Sequence, residues 1–287
     1  MTALMSDAQQ RAARSGDFIG CFPDGKRATD SDFGTKPAVV VIHGFTADAS
    51  YLGTLMQQLD GAGFAAFSFE YACFRGIDYA GKSLVSLLSL LDANGAISAN
   101  RLVLVGHSMG GLVARAAVTL SGGATYVRKV ITLGTPHGGT LQDAKMPRYM
   151  AQWGAAITGK NPRGFSTTAA SALQLMNADS KPTLLDRLRQ GTAPNVQFYS
   201  ISGGYGQLDF GRSYWKNFLI NWYLQRRLGV PNDGLVSESS SDLSQHAFSL
   251  CAPGCIHDRY YVAYPHMNHS YLIDNQEVAL RVRAYAA

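Results

Sequence analysis

The stretch LVLVGHSMGGLVARAAV, Leu102 to Val118, constrains the fold of this chain more than any other. Leu102–Val105 reads as a buried strand, and the Ala/Leu/Val-rich run from Ser108 onward reads as a buried helix. Between them stand Gly106, His107, Ser108, Met109 and Gly110, a G-x-S-x-G pattern. So tight a reversal between strand and helix forces the central serine into strained backbone geometry. The residues two before and two after it must be small, because a larger side chain would collide with the neighbouring strand or helix. The strain lifts the serine hydroxyl at the C-terminal edge of the sheet. The following helix aims its N-terminal amides and the positive end of its dipole at any oxyanion forming there. Five letters alone recur by chance in glycine-rich chains; between a buried strand and a buried helix they are a strong signal.

The rest of the chain supplies a frame for that turn. PAVVVIHGF (Pro37 to Phe45) reads as a continuously apolar strand ending in a Gly turn, and GFAAFSFEYA as a second strand. With Leu102–Val105, three further runs, Val130–Leu133, Val196–Ser202 and Arg259–Pro265, bring the expected strands to six. Leu52, Leu55, Met56 and Leu59 at helical spacing predict one intervening helix. Leu84, Leu87, Leu88 and Leu91 predict another over Ile77–Asn94, with Gly95 as its stop. SYLIDNQEVALRVRAY reads as a terminal helix. Strands alternating with helices predict an α/β fold, a mainly parallel sheet with helices on both faces, as one domain over residues 1–287.

Two intervals stand outside that alternation. Residues 141–192 carry no clear strand, yet hold Met146, Met150, Trp153, Ile157 and Phe165. In residues 205–230, Trp215, Phe218, Leu219 and Trp222 fall on one helical stripe. Ordinary core packing explains such stripes; a cap over an apolar pocket explains them if a reactive centre lies beneath.

Composition narrows the classes. The formal charge of +5 is scattered over short pairs such as Arg128-Lys129 and Arg226-Arg227, with no basic stripe interleaved with aromatics, so nucleic acid is not an expected partner. No apolar run approaches the ~20 residues of a transmembrane span. MTALMSDAQQRAARSGDF lacks the apolar core of a secretory signal, so either the protein is cytoplasmic or a leader has already been removed. Cys251 and Cys255 sit in CAPGC, a Pro-Gly turn that suits either a small disulfide loop or two free thiols. His257 follows closely, but a tetrahedral metal site would want a fourth ligand nearby.

A serine hydroxyl is a weak nucleophile near neutral pH and needs a base, and the base needs an orienting carboxylate. With this turn the chain order is serine, then acid, then histidine. His43, His107 and His137 come too early, which leaves His246, His257, His266 and His269. A loop directly after the last strand favours PHMNHSYL, and the terminal helix that would fix its loop favours His269 over His266. The carboxylate should follow the strand Val196–Ser202; Asp209, Asp233 and Asp242 contend for it. Asp233 is preferred, because Pro, Asn and Gly around it build a tight turn able to hold an inward side chain. Two backbone amides complete an oxyanion hole: Met109, after the serine, and Phe45, in the loop after the first long strand.

VIHGF, LVGHSMGG, ITLGTPHGG, NDGLV and MNH, in this order, resemble the bacterial triacylglycerol lipases and related esterases of the α/β-hydrolase superfamily, over residues 38–280. The resemblance implies the α/β-hydrolase fold, with Ser108 as nucleophile, Asp233 as acid, His269 as base, and Phe45 and Met109 as oxyanion amides. It also implies a lid beyond GTPHGG, in 141–192 and 205–230, where Met146, Trp153, Phe165, Trp215, Phe218 and Trp222 would line an acyl pocket. The expected activity is carboxylic-ester hydrolysis on lipid-like esters, at a lipid–water interface if the lid moves, with no organic cofactor. The same centre serves a thioesterase, polyester depolymerase or aryl esterase, and a non-catalytic binder of hydrophobic ligands would keep the fold. Many of these lipases bind a structural calcium through an Asp two residues past the catalytic His and another upstream of the acid. Here Tyr271 holds the first position, with Asp209 and Asp274 in the neighbourhood. The CAPGC segment enlarges the spacer between Asp233 and His269.

Overall fold

A computed structural model describes residues 16–141, 146, 148–150, 152, 168–246, 256–260 (as backbone) and 267–287. Seven strands form one sheet: β1 (Phe18–Cys21), β2 (Ala38–Ile42), β3 (Ala65–Glu70), β4 (Leu102–His107), β5 (Val127–Leu133), β6 (Gln197–Gly203) and β7 (Ile256–Tyr260). Their order is β1-β3-β2-β4-β5-β6-β7. Every neighbouring pair is parallel except β1 with β3. The six expected strands are present; β7 begins earlier than Arg259, and residues 261–265 of that expectation lie outside the described residues. β1 is the addition: four residues, FIGC, are too short to show an alternation.

The apolar strands are continuous because helices cover both faces, and the two-residue period sorts their side chains between two cores. Val40, Ile42, Leu102, Leu104 and Val130 join one cluster with Leu84, Leu88, Leu112 and Val113 from the helices Ile77–Ala93 and Met109–Leu120. Val39, Val41, Val103, Val105 and Ile131 join the other with Leu55, Leu59, Val278 and Val282, from the helices Gly53–Asp60 and Gln276–Ala286. The expected α/β architecture is therefore the one observed.

Register sets the site. Ile42 pairs with Gly106, and His107 with Leu133, so the loops after β2, β4 and β5 leave the sheet side by side.

The interval 141–192 is partly built into this body. The helices Ala170–Leu175 and Leu184–Gln190 bury Leu175, Leu184, Leu185 and Leu188 in the first cluster. Ser171 and Gln174 accept hydrogen bonds from the amides of Gly76 (3.1 Å) and Ile77 (2.6 Å) at the start of the helix Ile77–Ala93. Leu188 and His246 accept from the buried Arg115 guanidinium at 2.9 and 3.0 Å, and burial pushes that guanidinium's pKa down to about 9. Cys21 and Cys73 are free thiols, each pushed up to about 11 by burial; Cys251 and Cys255 lie outside the described residues. Among the described residues no helix is long and apolar enough to cross a membrane.

Candidate active site

Ser108 occupies the turn between β4 and its helix at φ 55°, ψ −127°. Four non-glycine residues among those described have positive φ: Thr46, Asn100, Ser108 and Asn177. Asparagine tolerates this region readily, whereas threonine and serine do so at a cost of about 1–3 kcal/mol. The two costly cases, Thr46 and Ser108, both stand at this edge of the sheet. The turn is closed by its glycines. A Cβ on Gly106 would overlap the backbone of Gly110 and Gly111, and one on Gly110 would overlap the carbonyl oxygens of Ile42 and His43. The steric demand expected at both positions is thus visible atom by atom.

The loop His43-Gly44-Phe45 lies directly against the serine. A Cβ on Gly44 would sit 3.0 Å from Ser108 Cβ, so glycine eases this close approach of the backbone to the serine. Phe45 and Met109, whose amides are the expected oxyanion donors, are both buried.

Asp233 and His269 are brought together from turns 36 residues apart. His269 Nδ1 donates to Asp233 Oδ2 at 2.7 Å, and the His269 amide donates to the Asp233 carbonyl at 2.9 Å. The other carboxylate oxygen, Oδ1, accepts from the amides of Leu235 (3.0 Å) and Val236 (2.8 Å). A carboxylate only accepts, so Nδ1 carries the proton and Nε2 is left as the basic nitrogen.

One short loop after β5 touches both halves of the site, through two residues, Gly134 and Thr135, that sequence reasoning did not single out. A Cβ on Gly134 would lie 2.9 Å from Asp233 Oδ2 and 3.0 Å from His269 Nδ1, so its absence lets this pair pack onto the loop. Next to it, Thr135 Oγ1 donates to the Ser108 carbonyl at 2.9 Å and fills the space above Gly111. The signal was the GTPHGG segment, in which Gly134 and Thr135 stand.

The competing candidates have other work. Asp209 Oδ1 accepts from the Gly211 amide (2.8 Å) and Asn217 Nδ2 (2.7 Å), and Asp242 caps a short helical turn through the Ser244 amide at 3.0 Å. His246 Nε2 donates to the Ser239 carbonyl at 2.8 Å. The side chain of His257 and all of His266 lie outside the described residues. Of the residues at the positions that the calcium resemblance singles out, Asp209 is hydrogen-bonded locally and Tyr271 is half-exposed. Among the described residues no group of three or more His, Cys, Asp or Glu could hold a metal ion.

The expected pocket lining is placed unevenly. Met146 is buried in the first apolar cluster, and Trp153 and Phe165 lie outside the described residues. Trp215, Phe218 and Trp222 face solvent at 71%, 49% and 54% exposure, a correction to the expectation that they line a pocket. The physical reason lies on the opposite face of their helix, Tyr214–Leu228. Asn221 makes two hydrogen bonds to the Leu208 backbone (2.9 and 2.8 Å), Asn217 accepts from the Phe210 amide (3.2 Å), and Gln225 donates to the Gly206 carbonyl (3.1 Å). This amide ladder turns the aromatic stripe outward.

No curated protein matches the sequence. Among solved structures, the mature form of the Bacillus licheniformis lipase BlEst2 is similar, at 20% identity, over 93% of this chain and 95% of that one, with a TM-score of 0.62. A hydrolase from Oleispira antarctica is similar at 12% identity over 98% of both chains, with a TM-score of 0.58. A monoacylglycerol lipase from Paleococcus ferrophilus is similar at 13% identity over 88% of this chain and 96% of that one, with a TM-score of 0.54. At such identities these likenesses speak for the fold. The model of the Alpha/beta hydrolase family matches residues 39–281, from β2 into the terminal helix, and the chain belongs to that family.

Proposed function

We propose that this protein is a serine carboxylic-ester hydrolase acting on lipid-like esters. The observation that carries the reading is the buried Asp233–His269 hydrogen bond of 2.7 Å at the same sheet edge as a strained Ser108. In the proposed reaction His269 Nε2 takes the Ser108 proton as Oγ attacks the ester carbonyl. Asp233 holds the ring and offsets the charge of the imidazolium. The Phe45 and Met109 amides receive the oxyanion. The imidazolium then gives its proton to the departing alkoxide, leaving an acyl-Ser108 ester. Water, deprotonated by His269, releases the acid and restores the serine.

The lipid-like substrate is supported by the helix Tyr214–Leu228. It exposes Tyr214, Trp215, Phe218, Leu219 and Trp222, while residues 210–230 carry Arg212, Lys216, Arg226 and Arg227 and no acidic residue. Aromatic side chains flanked by cations suit the boundary of a lipid phase. This face would meet the lipid, and the covering segments 141–192 and 205–230 would govern access to Ser108.

Hydrolysis of p-nitrophenyl esters from acetate to palmitate, with Ser108→Ala as control, tests the proposal. Turnover rising toward the longer chains and absent in the variant is expected. Equal inactivity of both proteins would overturn the catalytic reading. A maximum at acetate would overturn the lipid-like substrate and leave a short-chain esterase.

A further inference from the structure

The hydrolase reading uses one of the buried histidines at this sheet edge, His269, and leaves others without a role, among them His43 and His107. His107 is fully buried, and its ring lies 4.7 Å, centroid to centroid, from that of His269. Its Nε2 stands 2.9 Å from the carbonyl oxygen of His269. A carbonyl only accepts, so Nε2 carries the hydrogen. In the neutral ring Nδ1 is then an acceptor, and Tyr51 Oη stands 2.7 Å from it. Tyr51 must donate there, which leaves its oxygen lone pairs for the Gly44 amide, 2.9 Å away. The donors run in one consistent direction: Gly44 N–H to Tyr51, Tyr51 O–H to His107, His107 N–H to His269.

His43 fixes the next peptide. Its Nδ1 donates to the Gly44 carbonyl at 3.0 Å, and that carbonyl shares a peptide unit with the Phe45 N–H. The ring is held in turn by stacking on Tyr71 (4.2 Å between centroids), whose hydroxyl donates to the His43 carbonyl at 2.7 Å. Two successive peptides of the oxyanion loop are therefore pinned by side chains.

We propose that His107 and Tyr51 are positioning residues that lock the oxyanion loop, through Gly44, to the backbone of the base His269. The relay crosses the serine turn itself, so the donor loop, the nucleophile and the base are held in one hydrogen-bonded frame. Burial holds the His107 pKa well below the usual histidine range, with the nearby His269 acting in the same direction. His107 thus adds no positive charge beside an imidazole that must become cationic during turnover. This inference rests on the hydrolase reading for its catalytic consequence, but not for its geometry.

Long-range proton–nitrogen NMR of the imidazoles in the wild-type protein reads the relay directly. His107 is expected with a proton on Nε2 and a bare Nδ1; a proton on Nδ1 would overturn the proposal. Kinetics supply the second readout. Tyr51→Phe and His107→Phe are expected to lower kcat by about ten- to a hundredfold with KM within about twofold, because a small misplacement of reacting groups acts on the transition state. The double variant should lose no more than His107→Phe alone, because both side chains act through one chain of bonds. His107→Gln, which keeps an N–H donor, should recover part of the lost kcat. Additive losses, or a loss carried by KM, would overturn the relay. A wild type without esterase activity would overturn the hydrolase reading instead, and the tautomer measurement would still decide the relay.

Discussion

At the serine turn, Ser108, Asp233 and His269 are exposed by 2%, 1% and 0%, whereas on the helix Tyr214–Leu228 the residues Tyr214 and Trp215 are exposed by 76% and 71%. Each region inverts the usual partition of side chains. The first buries polar groups, and the second gives large apolar groups to water. The first offsets the cost locally, since both Asp233 carboxylate oxygens accept hydrogen bonds. On the helix the polar ladder of Asn217, Asn221 and Gln225 anchors one face to the loop 206–210, and the aromatic face meets solvent. The comparison teaches that the buried carboxylate finds its partners within the chain, while the helix leaves its aromatic groups to solvent.

The contrast predicts that substitutions at the turn act on chemistry or folding, and those on the helix face act on neither. The largest effect is expected for Ser108→Ala, with kcat falling on the order of 10⁵- to 10⁶-fold in ester hydrolysis. Asp233→Asn should follow at roughly 10⁴-fold, because the amide no longer holds the Nδ1–H tautomer. A loss below tenfold in steady-state assays would separate Asp233 from the reaction. Gly110→Ala should destabilise by about 3 kcal/mol or more, seen as a lowered urea midpoint, because its Cβ would overlap two β2-loop carbonyls that are backbone.

Smaller effects sharpen the other half. The triple substitution of Trp215, Phe218 and Trp222 by Ala should leave stability within about 0.5 kcal/mol per site and hydrolysis of soluble esters unchanged. Binding to anionic lipid vesicles should weaken at least about tenfold, given the apolar area removed. A cooperative loss of folding would show that this face is covered in solution. The mildest expectation concerns pH. Burial lowers the pKa values of His43 and His107 from the ordinary 6.5 in the folded protein. The unfolded chain therefore binds more protons in acid. Their contribution to stability is complete above pH 6.5 and falls below it, by up to about 1.4 kcal/mol per pH unit per histidine. Urea unfolding at neutral and mildly acidic pH checks this, and His107→Phe should flatten part of the slope.

How much of this was legible in the sequence depended on how local each demand is. Gly106 and Gly110 encode a steric requirement within five residues, so the turn could be read directly. Continuous apolar runs such as AVVVI encode burial on both faces, and chain order with turn chemistry sufficed to pair Asp233 with His269. The direction of the aromatic stripe was not legible. A stripe shows that a helix has two faces; which one turns inward was decided by Asn217 and Asn221 bonding the backbone of the preceding loop at residues 208–210, whose path the stripe does not encode. Tyr51 and His107 stand 56 residues apart and meet only because β2 and β4 are paired in register. Gly134 and Thr135 stood in a recognisable segment, but their contacts with Asp233 and Ser108 are equally non-local.

The central claim is that Ser108 is the nucleophile. Treatment with an activated organophosphonate, followed by peptide mass spectrometry, tests it without assuming a substrate. The account predicts a single covalent adduct on Ser108, formed in the wild type, slowed in Asp233→Asn and absent in Ser108→Ala. An adduct on another residue, or undiminished labelling of the Ser108→Ala protein, would contradict it.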